Sequence, residues 1–336
     1  MNRRHILLIS PAFHGYWRSI ADALTRRGHS VTVHVYDDYA SLGAKVRNKA
    51  LYELPTRLHS GSGMARLRRD TTANALARLT ATRFDTVLAI KGDLIGQEFW
   101  EEVRRKGLDH TLWLYDEVRR NAYTEAELQT FPAIVSYSRL DVAALTERGL
   151  DVHYVPNAFD HTIKFSVTRS PEVVFVGARY PDRERLLTTL RQHEVPVRAY
   201  GRQWSQHWFD RIRTWELRRP TLPSGRDVDR ATAYGLISGA VASLNSHTDQ
   251  DGFTMRTFEI PGAGGLQLID RPDVDEFYEP GTEVAVFGSE DELVELAQRA
   301  SADRRWAQSL ADQGRRRTLA HHTFDHRAQS LEALWV

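Results

Sequence analysis

A chain of 336 residues is long for one hydrophobic core, so two domains of ordinary size are expected. With 45 basic against 44 acidic side chains, no overall field demands nucleic acid or an anionic membrane, and 41% hydrophobic residues suffice for a globular fold. Cysteine is absent, which excludes disulfides, thiolate chemistry and cysteine metal sites.

The opening MNRRHILLIS carries positive charge before a short apolar run. Only His5 to Ile9 precede Ser10-Pro11, too few for a signal sequence or a membrane span, so a soluble cytoplasmic protein without an integral membrane segment is expected. Ile6 to Ile9 reads as a strand buried on both faces. After the loop SPAFHG, Trp17, Ile20, Ala21 and Leu24 recur at helical spacing until Gly28, and Val31 to Val35 forms the next strand. This βαβ unit places His14 and Gly15 at the carboxyl edge of a sheet, where ligands bind. From Asp37 to Thr80 the pattern weakens. The basic stretch Met64 to Leu79, behind the flexible Ser60 to Gly63, reads as an arginine-rich solvated helix face, with an acceptor or membrane-surface contact as the alternative.

Strands resume at 86–90, 111–115 and 133–137, separated by helix-compatible stretches at 95–106 and 124–129, and this alternation argues for a doubly wound parallel sheet. The loops after these strands carry Lys91 and Asp93, then Asp116 and Arg119, then Ser138. Together with His14 they would form a ligand-facing rim, although each alone also suits a cap or a surface position.

Pro156 and Pro171 bracket a hinge. A second series begins with the strand Val173 to Val176, the turn Gly177-Ala178-Arg179 and a helix from Pro181. The next strand, 195–200, ends at Gly201 with Trp204 just beyond, a ring that would stack on a nucleobase or pack under its loop. Then comes the stretch with the most chemistry: an apolar run 240–244, a polar segment from Asn245 through His247 to Asp251, a helix from about Thr254, and a strand 266–269 after Gly262, Gly264 and Gly265. Strand, loop, helix and strand in this order set the first turn of a helix beyond the strand ends, where a phosphate is favoured. Asp251 and Glu259 bring one carboxylate from the loop and one from the helix, a pair suited to sugar or ribose hydroxyls. The ligand expected is a nucleotide sugar; the bland alternative is a solvated Asp251 and a Glu259 exposed on its helix. A strand at 284–287 and a helix from Ser289, with Glu292 completing a capping box, lead into a basic terminal region.

An acidic residue, Gly252-Phe253, then Glu259 after seven intervening residues resembles the E-x7-E signature of retaining glycosyltransferases of the GT-B fold, with Asp251 in place of the first Glu. MRTFEIPGAGG followed by DRPDVDEFYEPGTEVAVF resembles the CgeB-type branch, as do WLYDEVRR around Asp116 and the closing HHTFDHR. VPNAFD, 155–160, is similar to the turn with which such enzymes pass from first to second domain. The resemblance implies an α/β GT-B architecture of two Rossmann-like doubly wound domains facing across a cleft: residues 1–160 on the acceptor side, 161–318 binding the donor, and a closing helix, 319–336, that crosses back. It implies a glycosyltransferase moving a sugar from a nucleotide-diphosphate sugar, with retention and without a cofactor other than that co-substrate. The acceptor would be a glycan or small natural product, and nucleic acid is not expected. Asp251 would face the transferred sugar and Glu259 hold the ribose. Arg179, with Arg183 and Arg185 behind it, and Arg256 near Thr254 and Met255 would meet the diphosphate. Gly177, Trp204, Asn245, His247, Gly252, Phe253 and Thr257 complete the expected donor site; His14, Gly15, Lys91, Asp93 and Asp116 form the acceptor side. His14, Asp251 and Arg179 are the catalytic candidates, His14 being the base should the reaction invert and otherwise a cap of the first helix. No metal ligand set is expected, since Asp273 and Asp275 read as the opening of a short helix. A nucleotide-sugar epimerase of the same fold and a non-catalytic nucleotide-sugar binder are the alternatives.

Overall fold

The structure is a computed structural model and describes residues 3–37, 62–216 and 218–335. Within these the chain divides into two compact units, Met1–Pro156 with Asp325–Val336, and Asn157–Phe324.

The first unit holds β1 (His5–Ser10), β2 (Ser30–Val35), β3 (Thr86–Ile90), β4 (Asp109–Trp113), β5 (Ala133–Ser136) and β6 (Val152–Tyr154). All are parallel, in the order β2-β1-β3-β4-β5-β6. Central strands read as continuous apolar runs because helices cover both faces: Ile6 to Ile9 and Val87 to Ala89 are all 0% exposed. The helices are α1 (Tyr16–Arg26), α2 (Ser62–Ala81), α3 (Gln97–Arg105), α4 (Glu125–Leu128) and α5 (Arg139–Glu147). Gly28, at φ 98°, closes α1: its N–H reaches Thr25 O at 2.9 Å while that of His29 reaches Leu24 O at 3.2 Å. The basic stretch after the masked segment is α2, whose Arg68 pairs with Glu127 at 2.5 Å and whose Thr72 accepts the Gly96 N–H at 2.7 Å, while Arg66 faces solvent. The strand expected at 111–115 instead runs Asp109–Trp113, because Tyr115 turns to φ 57°.

The second unit holds β7 (Val173–Val176), β8 (Val197–Tyr200), β9 (Ser224–Gly225), β10 (Ala242–Asn245), β11 (Gln267–Ile269) and β12 (Ala285–Val286), parallel and ordered β12-β11-β10-β7-β8-β9. Its helices are α6 (Pro181–Gln192), α7 (Trp208–Thr214), α8 (Arg230–Gly239), α9 (Met255–Ala263), α10 (Glu290–Ala302) and α11 (Arg304–His321). Counted within the unit, the strand order is that of a Rossmann sheet, reversing between β7 and β10. α9 is sunk into the unit, and glycines make the fit: a Cβ at Gly262 would stand 2.4 Å from the Phe159 ring, and one at Gly314 of α11 would stand 3.1 Å from Pro261.

The last helix, α12 (Phe324–Glu332), returns the chain to the first unit. Asp325 pairs with Arg26 at 2.6 Å, the Trp335 indole N–H donates to Thr111 at 3.2 Å, and buried Glu332 receives Arg27 at 2.6 Å and His29 at 2.9 Å. Burial pushes the Glu332 carboxyl up, but its bonds to Arg27 and His29 outweigh this and hold it below the usual range.

Candidate active site

Parallel sheets bind ligands beyond the carboxyl ends of strands at the point where strand order reverses. That point lies between β1 and β3 in the first unit and between β7 and β10 in the second. The helices that follow those four strands are α1, α3, α6 and α9. Among the ten α-helices whose N-caps are described, these four have no side-chain cap, whereas α4, α5, α7, α8, α10 and α11 are capped by Thr124, Ser138, His207, Asp229, Ser289 and Asp303. Backbone strain gathers at the same edges: among the described residues, four of the six non-glycine residues at positive φ are His14, Lys91, Tyr115 and Thr248, all in loops that follow strands β1, β3, β4 and β10.

In the second unit two arginines brace the switch point from opposite sides. Arg183 of α6 donates to Ser246 O beyond β10, from Nη2 at 2.7 Å and Nε at 3.0 Å, and to Ala178 O at 3.2 Å. Arg256, in the first turn of α9, donates from Nε to Val176 O at the end of β7, 2.9 Å away, and pairs with Glu259. Glu259 is 0% exposed and also accepts the Tyr234 hydroxyl at 3.0 Å. The alternative of a Glu259 exposed on its helix is therefore overturned. Of the two bracing arginines, Arg183 is buried with its guanidinium engaged by carbonyls and lies over the Tyr180 ring, whereas the Arg256 side chain is 26% exposed. α9 carries no acidic residue in its first turn, whereas α6 carries Asp182 and Glu184 there, so α9 is the better anion seat. Arg179 stands beside Gly177 with its guanidinium between Glu184 at 2.7 Å and Glu216 at 3.5 Å, and its N–H donates to Gln203 at 3.2 Å. Arg185 is turned away to Glu290 and Asp182.

Asn245, His247 and Thr257 come together, but as a buried chain behind the start of α9. Asn245 Nδ2 donates to Thr257 Oγ1 and to Gln267 Oε1, both at 3.1 Å, and His247 joins Thr257 at 3.1 Å and Asp270 at 2.9 Å. Burial lowers the His247 pKa despite Asp270, leaving the ring neutral. For Asp270 burial works upward, and the hydrogen bonds from His247 and Ser246 prevail and lower it. Asp251 is half-buried in the loop, next to buried Gly252 and Phe253. Arg271, which the sequence did not single out, ties this loop down: Nη1 reaches Gln250 O at 3.0 Å and Asp251 O at 3.1 Å, with the guanidinium 4.5 Å over the Phe253 ring. Asn157 holds Phe253 O at 2.9 Å. Asp273 is taken up by Arg271 within a short 3-10 helix.

Trp204 requires a correction. It is 0% exposed, its indole N–H donates to Gly177 O at 2.9 Å, and it meets Phe175 edge to face. A ring with no free face cannot stack on a nucleobase. Gly201 makes the packing feasible, since at φ 151° a Cβ there would lie 2.5 Å from Gly177 O.

In the first unit Lys91, Asp93 and Asp116 do converge, lining a cavity of about 370 Å³ with Phe13, Tyr36 and Tyr115. Lys91 Nζ lies 4.0 Å from Asp93 and 3.9 Å from Asp116. Burial, with Asp93 and Asp37 nearby, pushes the Tyr36 hydroxyl well up, so it keeps its proton. His14 is exposed at φ 47°, its ring 5.4 Å from that of Phe13, and Gly15 at φ 72° begins α1. Arg119 and Ser138 serve structure: Arg119 pairs with buried Glu117 at 3.1 Å and Ser138 caps α5.

Two all-parallel six-stranded units, each with its uncapped helices at the switch point, are the architecture of the GT-B fold. Residues 179–333 match the family model described as glycosyl transferase-like. The spore protein CgeB of Bacillus subtilis is 22% identical over 227 residues, 61% of this chain and 69% of that protein. Among solved structures, sucrose-phosphate synthase of Thermosynechococcus elongatus superposes with a TM-score of 0.63 at 14% identity, covering 99% of this chain and 98% of the other. Anabaena HepE, in complex with UDP and glucose, gives 0.63 at 14% identity, covering 98% and 99%. The chain has the GT-B fold, and over its second unit it resembles glycosyltransferases of the CgeB type.

Proposed function

We propose that the chain transfers a sugar from a nucleoside-diphosphate sugar, held in the second unit, to a glycan or small natural-product acceptor held in the first, with retention and without a metal. One observation carries this reading: α9 starts at the switch point without a side-chain cap or a first-turn carboxylate, and with the partly exposed guanidinium of Arg256 in that turn. A helix start of this kind stabilises the charge that grows on a departing diphosphate, and a planar guanidinium adds two-pronged hydrogen bonds to the same oxygens. Arg256 and Arg179 are the cations assigned to the diphosphate. Arg183 is a positioning residue that fixes the loops on either side of it. Glu259 acts through Arg256, holding the guanidinium in place from below, and Asp251, in the loop tied by Arg271, is assigned to the transferred sugar. Asn245, His247 and Thr257 set the start of α9 from behind.

Charge neutralisation in this reading falls to Arg256, Arg179 and the start of α9. In retention the departing phosphate takes the acceptor proton; in inversion a protein base such as His14 is required. The cavity beside Phe13, with aromatic walls and the hydrogen-bonding groups of Lys91, Asp93 and Asp116, suits the apolar faces and hydroxyls of a sugar.

The test is transfer itself. Purified chain, a panel of nucleotide sugars and candidate acceptors, with EDTA present, are expected to release nucleoside diphosphate only when an acceptor is added, and NMR of the product is expected to show the donor's anomeric configuration. Activity abolished by EDTA and restored by Mg2+ or Mn2+ would refute metal independence. An inverted linkage would refute retention and move the base role to His14. Turnover of the sugar nucleotide with no acceptor would identify an epimerase.

A further inference from the structure

Of the ten large hydrophobic side chains exposed among the described residues, four fall within positions 208–215: Trp208 at 65%, Phe209 at 47%, Ile212 at 56% and Trp215 at 64%. Spacings of one and four put Trp208, Phe209 and Ile212 on one face of α7, and Trp215 follows directly at its left-handed C-cap, φ 58°. A helix on a soluble domain turns its apolar face inward, and α7 does the reverse. Its inward face is polar and tied down: buried Asp210 accepts Ser205 Oγ at 2.8 Å and Arg226 at 2.9 Å, and Thr214 accepts Arg219 at 2.6 Å. The helix is thus mounted through hydrogen bonds and holds two indoles, a phenyl ring and an isoleucine in solvent. Exposed apolar area of this kind marks a contact surface.

Charge indicates the partner. Residues 202–219 contain five arginines and two carboxylates. Both carboxylates are used within the unit, Asp210 by Arg226 and Glu216 by Gln203 at 3.0 Å and Arg179 at 3.5 Å. Arg213 and Arg218 are exposed and make no ion pair among the described residues. Indoles favour the boundary between headgroups and acyl chains, phenyl and branched aliphatic groups favour the region just below, and guanidinium groups bind phosphate. We propose that α7 with Trp215 is a docking element for a bilayer surface rich in anionic phospholipid, inserting Trp208, Phe209, Ile212 and Trp215 while Arg213 and Arg218 meet the headgroups. No described helix is long and apolar enough to cross a membrane, so the association is with one face of the bilayer. Because Glu216 behind α7 also pairs with Arg179, docking brings that end of the second unit's switch point to the membrane surface. The proposal stands on this surface alone and does not depend on the sugar donor.

Co-sedimentation of the full chain with phosphatidylcholine vesicles, with and without phosphatidylglycerol, tests it. Binding is expected only with phosphatidylglycerol and should weaken as salt is raised. Trp208→Ser with Trp215→Ser should weaken it roughly tenfold or more, and Arg213→Glu with Arg218→Glu should remove the preference for the anionic lipid. These side chains are exposed, so an unchanged thermal midpoint verifies folding in each variant. No binding by the wild-type chain, or binding untouched by the aromatic pair, overturns the proposal. So does a concentration-dependent dimer that disappears in Trp208→Ser with Trp215→Ser while vesicles are ignored, since that assigns the face to a second copy of the chain.

Discussion

His247 has both ring nitrogens engaged, by Asp270 and Thr257, and is 1% exposed, so a proton added to it displaces a hydrogen bond inside the unit. Burial lowers its pKa below the ordinary 6.5, as it does for His34 and His110. A folded value below the unfolded one means that the unfolded chain takes protons first. The stability these rings contribute is therefore complete above 6.5 and declines as pH falls through the window beneath it. Urea midpoints measured from about pH 8 to pH 5 should fall on the acid side, and His247→Asn should flatten part of that limb; an unchanged slope would place the effect elsewhere. At Arg256 two effects are expected together. Arg256→Met removes the cation beside buried Glu259 and should lower the urea midpoint, and it should weaken diphosphate binding by about 1.5–3 kcal/mol, the range for a charged hydrogen bond, read on protein that is still folded. Residue chemistry was only partly legible beforehand. Glu259 was found by its spacing from Asp251, but its burial depends on Tyr234, a residue on another helix that no local pattern connects to it. For Trp204 the sequence leaves stacking and packing open, because a tryptophan at a strand end carries the same signal whether it stacks on a ligand or seals a loop; burial decides for packing.

Helix α9 shows what an element needs beyond periodicity. All of Thr257 to Ala263 is buried, and the glycines and Pro261 in it were legible only as a small-residue turn. They are where neighbouring elements come closest. Gly262→Ala puts a methyl group into the Phe159 ring, and an overpacked site of this kind should cost about 1–3 kcal/mol, read as a lower urea midpoint; an unchanged midpoint would mean that Phe159 moves aside easily. The strands expected from apolar runs are all present, whereas β6 and β9, of three and two residues, are too short to imprint a period. Shifts of strand ends have local causes, such as Tyr115 at φ 57° and Pro196, which lacks an N–H for the ladder. α7 went unnoticed for another reason: a balanced whole-chain charge hides five arginines gathered in 202–219.

At the scale of the whole molecule the alternation of strand and helix made both parallel sheets legible, and hence both switch points. The chain's return to its first unit is secured by side chains some 300 positions apart, Glu332 with His29 and Arg27. Such pairing leaves no trace in local sequence. Glu332→Ala strands a histidine and an arginine against a closed surface and should lower stability by about 2–4 kcal/mol; a loss below roughly half a kcal/mol would show that α12 contributes little. The central claim is that the start of α9 seats a nucleoside diphosphate. The measurement that bears on it most directly is a thermal-shift panel of nucleosides, nucleoside monophosphates, nucleoside diphosphates and nucleotide sugars on the wild type and on Arg256→Met. A ligand that binds only the folded chain raises the midpoint in proportion to the logarithm of its saturation. The account predicts a rise with the diphosphates and sugar nucleotides of one base, little with the nucleoside, and loss of most of the difference in Arg256→Met. Equal shifts by nucleoside and diphosphate, or shifts that Arg256→Met leaves untouched, would contradict it.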